Sequence, residues 1–145
     1  MRLLVLLLLV ASACNDVRGF EGTWNGPSVG VAAPLHVGIG MTSTATLAID
    51  EVDLHGFHGR LSIDGLVIDA DVTSVAGAEA DVLSGITFDG SPARVYLAFV
   101  AIPDGGGEAL SVIALYDDKR VEVRVLRSGS QPLYGIFALS RGDSV

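Results

Sequence analysis

The sequence predicts an all-β protein: an antiparallel up-and-down β-barrel of eight to nine strands, with a β-sandwich as the alternative. The first reason is period two. Phe57, Leu61 and Ile63 share one parity against His58, Arg60, Ser62 and Asp64, and Val121, Val123 and Val125 alternate with Arg120, Glu122 and Arg124. Successive side chains of a strand point to opposite faces, so this alternation marks strands with one buried and one outer face. The second reason is punctuation. Asp64-Gly65, Gly77, Asp89-Gly90-Ser91-Pro92, Asp104-Gly105-Gly106-Gly107, Asp117-Asp118 and Ser128-Gly129-Ser130-Gln131-Pro132 recur along the chain, at roughly the spacing of a meander. Consecutive antiparallel strands must close or leave two edges open to other chains, and closure removes both.

Taken in order, strands are expected at 20–26, 44–53, 56–63, 66–73, 79–89, 93–102, 109–116, 120–127 and 133–140. The first ends before Pro27. The apolar, Gly- and Pro-containing stretch 27–43 that follows is too long for a tight turn. It forms either a lid over one barrel end or a further short strand at 35–39. Asp64-Gly65 is a two-residue hairpin signal of the type I′ kind. In 66–73, Leu66, Ile68 and Val72 are expected to face inward, with Asp69 and Asp71 on the solvent face. Residues 76–82 could instead be a helical turn. The stretch 93–102 is apolar on both faces, and in the last strand Leu133, Phe137 and Leu139 lie opposite Tyr134, Ile136 and Ser140.

The start of the chain has a different character. Arg2 precedes the apolar run Leu3 to Val10, which leads into the small residues Ala11, Ser12 and Ala13 and then Cys14. This run is too short to span a bilayer, which takes about 20 apolar residues. The order of charge, apolar core and small-residue site is that of a secretory signal. Ala11, Ser12 and Ala13 suit ordinary signal peptidase. Followed by Cys14, they also resemble the bacterial lipobox, although that pattern favours Leu where this chain has Ala11. The resemblance implies lipidation of Cys14, which would also account for one unpaired thiol in an exported protein. One acyl chain binds membranes only marginally, and two or more anchor stably. Asn15, rather than Asp, follows the cysteine. By resemblance to Gram-negative lipoproteins, this implies a place at the outer membrane of the cell envelope. The chain divides into a signal peptide (1–13), a lipidated cysteine with a short tether (14–19), a barrel domain (20–141) and a C-terminal tail (142–145).

Of nine basic residues, Arg2 would leave with the leader, against 17 acidic residues that all stay. So acidic a domain is a poor partner for nucleic acid or for direct adsorption to anionic lipid. Its membrane contact is expected through the N-terminal lipid alone. Its length suffices for one domain with a real core and no disulfides.

Gly22-Thr23-Trp24 opens the barrel domain, and Arg141 follows its last predicted strand. This G-x-W resembles the start of the calycin barrels, the lipocalins and their relatives. The resemblance implies that Gly22, Trp24 and Arg141 close one end of the barrel, with Arg141 stacked on Trp24. The chain departs from lipocalins in lacking a C-terminal helix and disulfides, and it has one tryptophan where biotin-binding relatives have several. No ligand identity is carried over.

No arrangement with catalytic spacing is found. His36, His55 and His58 are the histidines, and the last two, three apart, would point to opposite faces of a strand. No metal site and no cofactor are expected. Asp64, Asp69 and Asp71 are read as turn and solvent-face residues rather than an acid–base pair or a Ca²⁺ site. Asp104 to Glu108 is read as a hairpin tip. Lys119, Arg120, Arg124 and Arg127 make a basic patch, read as a solvated outer surface compensated by Glu122; the other reading is a dock for an acidic partner. The function expected is non-enzymatic binding of a small apolar ligand in the barrel, on the calycin resemblance and the two-faced apolarity of 93–102. The alternative is a structural or protein-interaction lipoprotein with a filled barrel. Neither reading names the protein partner.

Overall fold

In a computed structural model the chain is described at residues 17–29, 39, 42–75, 86–130 and 132–142. Eight strands form a closed antiparallel barrel in which each neighbours the next in sequence. They are β1 Gly22–Pro27, β2 Thr44–Val52, β3 Phe57–Ile63, β4 Val67–Ser74, β5 Arg94–Ile102, β6 Gly107–Tyr116, β7 Arg120–Arg127 and β8 Leu133–Arg141. β1 meets β8 at Trp24↔Arg141 and Asn25↔Ser140, and the seam continues through a bridge at Ser28↔Phe137.

Period two places one face of each strand inside. Leu47, Leu61, Val72, Ile113, Leu115, Val123 and Phe137 join a single apolar core. Ala45, Leu47, Leu61, Ala98, Ile113, Leu115 and Phe137 have no exposed surface at all. A side chain with no surface open to a water-sized sphere borders no void that could hold water. The barrel is therefore packed around these positions.

Two glycines let strands approach closely. A Cβ on Gly26 would lie 1.9 Å from the Ala138 carbonyl oxygen, and one on Gly59 would lie 2.2 Å from that of Ala48. Larger residues at either position would push the wall apart.

The structure corrects several expectations. Residues 17–20 form a 3-10 turn, so Phe20 precedes the first strand instead of opening it. Of the stretch expected as strand 79–89, residues 86–89 are not in a strand but lie across the outside of β7. Residues 79–85, and the helical alternative at 76–82, fall outside the described residues. So do most of the expected lid and the strand at 35–39, although Ile39 is buried in the core cluster. The turn at Asp64-Gly65 has positive φ only at Gly65, whereas a type I′ turn needs it at both central residues. That pair of values occurs instead at Asp104 and Gly105, φ 58° and 77°, with Gly106 N–H donating to the Pro103 carbonyl.

Ile68 is the clearest reversal: expected inside, it is 89% exposed. The pairing runs Leu61↔Ala70 and then Ile63↔Val67, so β4 holds one residue more than β3. That bulge puts Asp69 at φ 50°, with its N–H donating to Ser62 Oγ. One extra residue shifts the parity, so Ile68 turns outward.

Candidate functional site

Three features bear chemistry, and the first is the cluster around Trp24. The turn 17–20 precedes β1 and buries Val17 and Phe20. Phe20 stacks on Trp24 at 5.6 Å, and Trp24 Nε1–H donates to the Phe20 carbonyl. Arg141 Cζ lies 5.1 Å from the Trp24 ring centroid, and Lys119 Nζ lies 4.7 Å from that of Phe20. Two cations thus flank two stacked rings. Arg141 also donates to the carbonyls of Gly19 and Glu21, and Gly22 sits at φ 120°, a conformation that favours glycine. Sequence reasoning singled out Gly22, Trp24 and Arg141 but placed Phe20 in the strand instead of on the Trp24 ring, and missed Lys119, which nothing local links to Phe20 so far away along the chain.

The second feature is the outer wall of β2, β3 and β4, which is open and charged. His58 Nε2 lies 3.0 Å from Asp71 and its Nδ1 3.8 Å from Asp50, while Arg60 reaches Asp50 and Asp69 at 3.6 and 3.5 Å. Every one of these groups is exposed. At the foot of the wall a shallow depression of about 250 Å³ is lined by Asp53, His55, His58 and their neighbours. Asp53 accepts the backbone N–H groups of His55 and Gly56, both at 2.7 Å. These bonds hold its carboxyl below the ordinary carboxylate value. Among the described residues no group of three His, Cys, Asp or Glu side chains is placed to hold a metal ion.

The third feature is a groove of about 740 Å³ on the outer wall of β7 and β8, under residues 86–89. Its floor follows from the register: Glu122, Arg124 and Leu126 lie directly across from Ala138, Ile136 and Tyr134. Ile86, Phe88 and Val29 add apolar sides. The polar groups here are desolvated. Arg124 Nε donates to Glu122 Oε1 at 2.6 Å, and the two residues are 9% and 6% exposed. Arg124 also donates to the Thr87 carbonyl at 2.8 Å and lies over the Phe88 ring at 4.8 Å. Arg120 donates to the Asp89 carbonyl and stacks on Tyr116 at 4.0 Å. Two arginines therefore fasten 86–89 to the barrel. Burial, with the Glu122 charge second, pushes the Tyr116 hydroxyl above its ordinary value.

The basic patch read from the sequence is only partly a solvated surface: Lys119 is exposed and Arg120 and Arg127 are half-buried, whereas Arg124 is buried with Glu122. Arg120 and Arg124 hold 86–89, Lys119 lies over the Phe20 ring, and Arg127 donates to the Gly106 carbonyl. On the outer face of 93–102 Leu97 is buried, as are Val112 and Ala114 of β6, whereas Phe99 and Ala101 are exposed. Ala11, Ser12, Ala13 and Cys14, with His36, lie outside the described residues. No protein-family model, no curated protein and no solved structure matches this chain.

Proposed function

We propose that this chain is a lipoprotein of the bacterial cell envelope, anchored by Cys14 at the outer membrane, whose barrel binds a small apolar molecule without catalysis. The groove over β7 and β8 is the binding site in this reading. Its volume of about 740 Å³ falls within the range of small-molecule clefts, about 300–1,000 Å³. Its lining is mostly apolar, and its buried charges already satisfy one another, so the favoured ligand is uncharged where it meets Ile136, Ala138 and Leu126.

The test uses N-phenyl-1-naphthylamine as an apolar fluorescent probe on the exported domain. Ala138→Trp fills the groove and should reduce probe affinity at least tenfold at unchanged melting temperature. Unchanged affinity in that variant would remove the groove reading. Intact mass of the protein extracted from membranes tests the anchor: diacylated or triacylated Cys14 supports it, and a free thiol overturns it.

The packed interior favours a second reading, a structural or protein-interaction lipoprotein with a filled barrel. Absence of probe binding in the parent protein would select it.

A further inference from the structure

The seam between β4 and β5 is short for the strands that flank it. β5 and β6 pair over their whole length, from Arg94↔Leu115 to Ile102↔Gly107. β4 and β5 pair only at Thr73↔Phe99 and Ser74↔Ala98, with one more backbone bond from Val75 N–H to the Leu97 carbonyl. Beyond Thr73, residues 67–72 of β4 and 100–102 of β5 have no pairing with each other. Their backbone groups facing the seam form an edge that can accept another strand.

The side chains beside this edge are those an added strand would cover. Ile68, turned out by the bulge, is 89% exposed, and Phe99 is 51% exposed. Asp69 and Asp71 project on the same outer face and are exposed. With Asp50 they set three carboxylates against one guanidinium, Arg60, and the His58 ring.

We propose that the β4–β5 seam binds an extended segment of a partner protein by strand addition, with apolar and basic residues taking turns along the segment's outward face. Backbone pairing supplies affinity, Ile68 and Phe99 take the apolar side chains, and the carboxylates take the basic ones. The charge selects against a second copy, which would bring its own Asp69 and Asp71 to the same edge in a chain of net charge −8. This site is separate from the groove over β7 and β8 and does not depend on it.

The probes are two labelled heptapeptides with threonine at the even positions; the odd positions, which share one face, alternate valine with lysine in one and valine with glutamate in the other. Binding to the exported domain is read by fluorescence anisotropy, and backbone protection by hydrogen exchange. The lysine peptide should bind at least tenfold more tightly than the glutamate peptide, and exchange should slow at 67–72 and 100–102. Ile68→Ser should weaken binding at least fivefold, and D69K/D71K should reverse the peptide preference. Ile68 is too exposed for its replacement to unfold the domain, and a melting curve checks this. Equal binding of the two peptides, unchanged binding in Ile68→Ser, protection elsewhere, or a dimer by analytical ultracentrifugation would each overturn the proposal.

Discussion

Two outer walls of one barrel carry ion pairs in opposite conditions. On β2–β4, Arg60 and His58 meet Asp50, Asp69 and Asp71 in water. On β7, Arg124 and Glu122 meet under Phe88 and Thr87 with almost no exposure. In sequence the two walls look alike, since β3 shows His58 and Arg60, and β7 shows Arg120, Glu122 and Arg124, all at alternate positions. The difference is the cover. An exposed pair gains little because water screens it and both side chains lose freedom, about 0–1 kcal/mol. A buried pair has given up its hydration, so removing one partner strands a charge.

The largest effect should come from breaking the covered pair. Arg124→Ala leaves Glu122 uncompensated and frees 86–89, and should cost about 3–5 kcal/mol in urea unfolding. A cost below about 1 kcal/mol would mean that water reaches Glu122 and that the two walls are equivalent. Replacing both charges together, Glu122→Leu with Arg124→Met, should restore the parent stability or exceed it by about 1–4 kcal/mol, because neither charge is then stranded. A double variant as unstable as Arg124→Ala would show that the bond to the Thr87 carbonyl, not the stranded charge, dominates.

On the open wall, Arg60→Ala should cost less than about 1 kcal/mol. Raising salt should shrink that cost, whereas the cost of Arg124→Ala should hardly change with salt. Parallel salt responses in the two variants would erase the contrast.

The smallest effect lies at the foot of the open wall. The Asp53 carboxyl is held below its ordinary value of 3.8 by the N–H groups of His55 and Gly56. A lowered folded value gives stability that is fully present above 3.8 and is lost as pH falls through the folded value. Unfolding curves of the parent and Asp53→Asn should therefore differ at neutral pH and converge on acidification. A gap that persists at the lowest pH would assign the effect to geometry instead of charge.

Much of the barrel was legible because its signals are local. The alternation of Val121, Val123 and Val125 named inward residues, and all three are buried. Where the sequence misled, a single inserted residue or a distant segment was responsible. The bulge at Ile68 and Asp69 reversed parity, and no residue type at those positions marks a bulge in advance. The groove was invisible for another reason: its sides come from Val29, residues 86–89 and β7–β8, which approach one another only after the barrel closes. The two-faced apolarity of 93–102 does not translate into uniform burial: on the outer face Leu97 is buried while Phe99 is 51% exposed, because cover there depends on what packs over each residue.

The sequence by itself determined the period, the turns and therefore which side chains fill the barrel, because strand alternation and turn chemistry act over a few residues. Only the tertiary structure decided which outer wall meets water. Glu122 and Arg124 have the same local pattern as a solvated face, and their environment is set by Thr87 and Phe88, more than thirty positions earlier in the chain. Burial is a property of what folds against a residue, and that partner is not written beside it.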